Sequence, residues 1–194
     1  SKTPLIVLIL WMFLQSIVAL LGFYLDTTAI PPRFLFLIAP VIVFIIVLFN
    51  TPKGKAFIDS ISIEKLTMLH IVRIPVEIVL FWLFLQKTIP QLMTFEGRNF
   101  DILAGITAPI IYFFVFVKHS ISKKILLFWN FACLALLLNI VINALLSAPL
   151  PFQQFAFEQP NIAVLYFPFN LLPSVVVPLV LFAHLVVIRQ LLNK

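Results

Sequence analysis

The stretch EKLTMLHIVRIPVEIVLFWLFLQ, Glu64 to Gln86, decides how this chain is read. It is apolar over a length that crosses a bilayer, yet it carries His70, Arg73 and Glu77 at spacings i, i+3 and i+7, which a helix places on one face. An arginine or a carboxylate at the centre of a membrane helix costs roughly 2.5–3.5 kcal/mol. Such groups persist where they face a bundle interior, pair with one another or bind something. Counted from Lys65 to Lys87, Glu77 falls near mid-depth, with Arg73 one turn nearer Lys65. The two stand at i, i+4, within reach of a charge-assisted pair. Pro75 lies between them and cannot donate a backbone hydrogen bond, so the helix is expected to kink there.

Hydrophobic residues make up 63% of the 194 positions and charged residues 10%, with a mean hydropathy of +1.18, more apolar surface than a water-soluble core can hide. The apolar runs are continuous, whereas barrel strands alternate, so the fold expected is all-α. The reading is a polytopic integral membrane protein, one transmembrane domain over residues 1–194 formed by a bundle of six transmembrane helices with several proline kinks. The spans fall near residues 4–24, 31–49, 65–86, 101–117, 125–146 and 165–188. The first is longer than the roughly 7–15-residue apolar core of a signal peptide and lacks a small-residue cleavage site, so it is expected to stay in the mature chain. Pro31 and Pro32 are read as the start of the second span, and the amphipathic piece KAFIDSI that follows is expected to lie along the membrane surface.

Basic residues set the orientation. With both termini cytoplasmic, that side holds Lys2, Lys53, Lys55, Lys65, Lys118, Lys123, Lys124, Arg189 and Lys194, against Arg33, Lys87 and Arg98 outside. Tyr24 and Tyr166 then mark the outer interface and Trp129 the inner one. A bacterial-type cytoplasmic (inner) membrane suits this pattern. The net charge of +6 sits in short loops beside apolar runs, which points to membrane lipids as partners and away from nucleic acid.

Gln15, Glu77 and Asn139 lie at similar depth, with Ser174 and Asn170 on the last span and Asn143 leading toward the outer loop KTIPQLMTFEGRNFD. In that loop Gly97 permits a tight turn between Glu96 and Arg98, and Asn99 or Asp101 is a natural N-cap for the next helix. The candidate ligand-binding set is Arg73, Glu77, Glu96, Arg98, Asn99, Asp101, Asn139, Asn143 and Asn170, forming a polar cavity open to the extracytoplasmic side with Glu77 at its floor. Interhelical hydrogen bonding for packing is the competing account of the asparagines. Pro173 and Pro178 free the carbonyls of Phe169 and Ser174, which can serve a cation or a ligand donor.

No enzyme motif is present, as GxSG, HExxH, P-loop and dinucleotide motifs are all missing, and acid–base chemistry on lipid through Glu77, His70 and Arg73 is the one enzymatic reading left open. A lone cysteine, Cys133, excludes an internal disulfide and a cysteine metal cluster. No cofactor is expected. His70 and His184, at equal depth on different helices, are the weak candidates for axial ligands of haem b. The expected function is binding or transport of a small ligand, lipid or ion at the intramembrane polar site. The alternatives are a non-catalytic subunit or assembly partner of a larger membrane complex, with a membrane-protein partner or homo-oligomer, and a haem b-binding redox protein.

Overall fold

The structure, a computed structural model, describes residues 3–193, and every regular element among them is helical. Lys2 and Lys194, both counted for orientation, lie outside the described residues. Helix α1 spans Thr3–Leu20 and stops before Gly22, whose φ of 72° suits a residue without a Cβ. Helix α2 spans Leu35–Asn50. At Thr51 the chain turns by 91° into α3, Pro52–Asp59. The Thr51 hydroxyl accepts from the Gly54 N–H at 3.2 Å, and proline takes the first helical position, where no hydrogen bond is lost. α3 buries Gly54 and Ile58 and leaves Lys53 and Lys55 exposed.

Helix α4, Ile63–Leu85, is capped by the Ser62 hydroxyl and tightens into a 3₁₀ turn at His70–Val72, just ahead of Pro75. Helix α5 spans Ile102–Val117 and closes in a π turn, Phe113–Val117. Helix α6 is the longest, Lys123–Ser147. Helix α7, Leu172–Leu192, opens with a π turn at Leu172–Val176, where Pro173 interrupts the regular hydrogen bonding. Four of these helices, α1, α4, α6 and α7, are long and apolar enough to cross a membrane, and the bent pair α2 and α3 makes a fifth if taken as one span. α5 is apolar but shorter.

Helix α7 is the central element, burying Val180, Ala183, His184, Val186 and Val187 among its neighbours. Peripheral α1 buries only Gln15 and Ala19 and turns leucine, isoleucine and phenylalanine outward, as a lipid-facing helix would. At one end of the bundle Ile63, Ile121 and Leu191 share a cluster, and Gln190 donates to the carbonyls of Ile58 and Ile61 at 2.8 and 2.9 Å. At the other end the connection after α6 is tied down. The Ile162 N–H donates to Thr88 O at 3.1 Å and the Asn161 N–H to Ser147 O at 2.8 Å.

Several local expectations are corrected. The second long helix starts at Leu35 and not at the proline pair, and the last starts at Leu172, after the 3₁₀ turn Ala163–Leu165. Asp101 stands at the N-cap position without a side-chain cap bond, because its carboxylate is engaged elsewhere. Tyr24 and Trp129 point into the bundle and not out from its surface. Tyr24 is buried with its hydroxyl donating to Gln15, and Trp129 turns inward to donate to Thr107 at 2.9 Å. Tyr166 is exposed.

Candidate functional site

Arg73 enters from the end of the 3₁₀ turn in α4, a position that carries its side chain across to three other helices. Its Nη1 donates to Asp101 Oδ1 at 2.7 Å, at the start of α5, and to the Cys133 carbonyl of α6 at 3.4 Å. Nη2 lies 2.7 Å from Nε2 of His184 on α7. A guanidinium has only donors, so Nε2 of His184 must accept and the ring is the Nδ1–H tautomer. That proton is donated to Asn130 Oδ1 at 2.9 Å, while Asn130 gives its own Nδ2 to Leu126 O at 2.9 Å. An unbroken polar chain thus runs from Asp101 through Arg73 and His184 to Asn130. Each charge in it has a partner, which is what makes burial tolerable.

The helices reach this proximity because small residues line the contact. A Cβ on Gly105 of α5 would lie 2.8 Å from Ile74 Cγ1, 3.2 Å from Ile74 N and 3.3 Å from Arg73 Cβ. Glycine lets α5 press against α4 where Arg73 emerges.

Glu77, one turn further along α4, is 1% exposed and belongs to a second set of contacts. Its Oε1 accepts from Asn99 Nδ2 at 2.6 Å. Asn99 also donates to Met93 O at 3.0 Å and accepts the Asp101 N–H at 3.0 Å, so one buried asparagine positions both carboxylates. Among the described residues six buried side-chain atoms have no hydrogen-bonding partner: Glu77 Oε2, Arg73 Nε, both ring nitrogens of His70, Asn161 Oδ1 and Asn170 Oδ1. Glu77, Asp101 and Asn161 line a cavity of about 130 Å³ between α2, α4, α6 and α7 whose remaining wall is hydrocarbon, Leu80, Leu137 and Val141 among it.

The sequence-derived site separates into three groups. Arg73, Glu77, Asn99 and Asp101 come together. Arg73 and Glu77 do not pair, however: the arginine takes Asp101 and the glutamate takes Asn99. Asn139, Asn143 and Arg98 form a neighbouring set, in which Asn139 donates to Arg98 O at 2.8 Å and Asn143 to Asn139 O at 2.8 Å. The Arg98 guanidinium lies over the Phe155 ring, 5.5 Å from its centroid, and Glu96 is exposed. Asn170 belongs to a cluster with α1, donating to Gln15 O at 3.0 Å. The carbonyl that Pro178 frees on Ser174 accepts from Trp11 Nε1 at 2.9 Å, and Phe169 O accepts from the Leu172 N–H at 3.0 Å, so both are already engaged.

His70 and His184 do meet, with centroids 4.0 Å apart and rings 19° from parallel. Axial haem ligands aim their nitrogens at one iron between them. Here the rings stack face on face and both nitrogens of His184 are taken, an arrangement unsuited to clasping a porphyrin. Among the described residues no group of three or more His, Cys, Asp or Glu could hold a metal ion. Sequence reasoning left Asn130, Thr107 and Asn161 out of the site. Asn130 carried the clearest signal, an asparagine within a membrane-length apolar run, as Asn139 does.

No curated protein and no solved structure matches the chain. Residues 30–192, from the start of α2's approach to the end of α7, match one family model, described as a domain of unknown function. That match covers most of the chain, and the protein belongs to the DUF8737 family.

Proposed function

We propose that this protein is a small multi-pass membrane protein of a bacterial-type inner membrane that binds or transports a small ligand at Glu77. In this reading it makes six passes, α2 and α5 among them, with both termini cytoplasmic, and the cavity beside Glu77 is reached from the extracytoplasmic side. The observation that carries the reading is Glu77 itself. It is a buried carboxylate in an apolar wall, with one oxygen held by Asn99 and the other without a partner, beside a cavity of about 130 Å³. A carboxylate kept for packing alone is expected to have both oxygens satisfied. Intramembrane ionisable groups of this kind mark ligand and ion paths. Asn99 and the Arg73–Asp101 pair act as the frame that holds the carboxylate in place.

The test is a mass spectrum of small molecules that copurify with the wild-type protein and with Glu77→Gln. The variant keeps the side chain's shape and is expected to fold. A ligand present with the wild type and missing from Glu77→Gln is the expected result. The same ligand at equal stoichiometry in both would remove Glu77 from the site.

A further inference from the structure

The cavity beside Glu77 constrains its ligand through the kind of polar atom left over on its walls. Two buried atoms of the lining residues have no partner, Glu77 Oε2 and Asn161 Oδ1, and both are acceptors. The identity of the Asn161 oxygen follows from its amide nitrogen, which donates to the Ala144 carbonyl at 3.4 Å, a contact only the NH₂ group can make. Asp101, the third polar residue of the wall, is a further carboxylate. Of the donors nearest Glu77, only Arg73 Nε has no partner, and the rest are committed. Asn99 Nδ2 serves Glu77 and Met93 O, and the Arg73 Nη atoms serve Asp101, Cys133 O and His184. Arg73 is not among the residues lining the cavity.

A bare metal cation fits poorly, since hard cations take six or more oxygens or keep several waters, and most of this wall is hydrocarbon. The volume of about 130 Å³ is close to the roughly 150 Å³ at which an apolar protein cavity accepts a benzene ring.

We infer that the site takes a small amphipathic amine: an apolar body of about ring size, with an ammonium head set against Glu77 Oε2 and Asn161 Oδ1 as a second acceptor on the wall. This rests on the reading of Glu77 as a ligand site and adds the charge and shape of what it binds. The hydrocarbon body occupies the space bounded by Leu80, Leu137 and Val141, and the head supplies the donor that Glu77 Oε2 lacks.

Three probes of one shape separate the possibilities: benzylamine, toluene and benzoate, each added to purified protein in maltoside micelles and followed by equilibrium dialysis and thermal unfolding. Benzylamine is expected to bind most tightly and to raise the unfolding midpoint, toluene to bind weakly, and benzoate not at all. In Glu77→Gln the benzylamine Kd should rise about ten- to hundredfold, the loss of one charge-assisted hydrogen bond, with toluene unchanged. Val141→Phe, which fills the apolar part, should weaken benzylamine and toluene alike. Benzoate binding as tightly as benzylamine, or a benzylamine Kd unaltered by Glu77→Gln, overturns the amine assignment and leaves the cavity as a site for something else. Failure of all three probes to bind also overturns the amine assignment, whereas the Glu77 site itself falls only if the copurifying ligand is retained by Glu77→Gln.

Discussion

Arg73 and Asp101 are joined by a 2.7 Å ion pair in which neither side chain is more than 7% exposed, while Glu77, four residues from Arg73 on the same helix, is left to Asn99. This divides the buried charges by task. Arg73 and Asp101 neutralise each other and tie α4 to α5, and Glu77 is the acid with capacity to spare.

Removing one member of the Arg73–Asp101 pair should orphan the other. Arg73→Leu or Asp101→Leu alone is expected to destabilise by about 3–5 kcal/mol, and the double apolar variant should recover most of that loss. Unfolding in mixed micelles measures each, and a double variant as unstable as the sum of the singles would show that the two residues do not act as a pair.

The stacked histidines should respond unequally to the same substitution. Neither nitrogen of His70 has a partner, so His70→Phe keeps the stack and is expected to cost less than about 1.5 kcal/mol. His184→Phe strips a partner from both Arg73 and Asn130 and should cost about 1–3 kcal/mol or more. Equal losses in a thermal scan would contradict the hydrogen-bond assignment of His184.

Gly105→Ala should loosen the α4–α5 contact. The added methyl lies 2.8 Å from a movable Ile74 side-chain carbon but 3.2 Å from the Ile74 backbone nitrogen, which has little room to yield. Overpacking of this kind costs about 1–3 kcal/mol, and the larger Gly105→Val should cost more than Gly105→Ala. Unfolding midpoints indistinguishable from wild type would mean that the helices separate freely here.

The proposed orientation is open to single-cysteine labelling in a Cys133→Ser background. Glu96→Cys and Glu158→Cys, both at exposed positions, should react with an impermeant maleimide in sealed cells, and Ser122→Cys, also exposed, should not. Labelling of Ser122→Cys from outside would invert the topology.

How much of this was legible beforehand follows from what each signal measures. Apolar run length located the long helices well, because burying twenty apolar residues in a row has few solutions besides a membrane helix. Polar residues inside and beside those runs put Arg73, Glu77, Asn99 and Asp101 in the candidate set, with Glu96, Arg98, Asn139, Asn143 and Asn170 beside them, since depth and chemistry can be counted along a chain. Rotation about each helix axis cannot be counted that way. The i, i+4 spacing therefore suggested that Arg73 would meet Glu77, and the Asp101 carboxylate, reached across the α4–α5 contact, took it instead. For the same reason Asn170 matched Glu77 in depth yet turned toward α1. Prolines marked where α7 becomes irregular, but not that Trp11 would reach over to take the freed Ser174 carbonyl.

The Arg73–Asp101 pair spans only 28 residues and joins two consecutive segments of the chain. Once a nascent hairpin of α4 and α5 forms, the arginine already has its counter-charge, and the small separation of the two residues along the chain keeps the entropic cost of that closure low. In the proposed six-pass arrangement the pair can therefore enter hydrocarbon as a neutral unit, long before His184, 111 residues beyond Arg73, has been synthesised. An acid placed on α6 or α7 would have neutralised Arg73 equally well in the finished bundle, but would have left it exposed to lipid during insertion. The sequence position of Asp101 thus matters to the order of assembly as well as to its product.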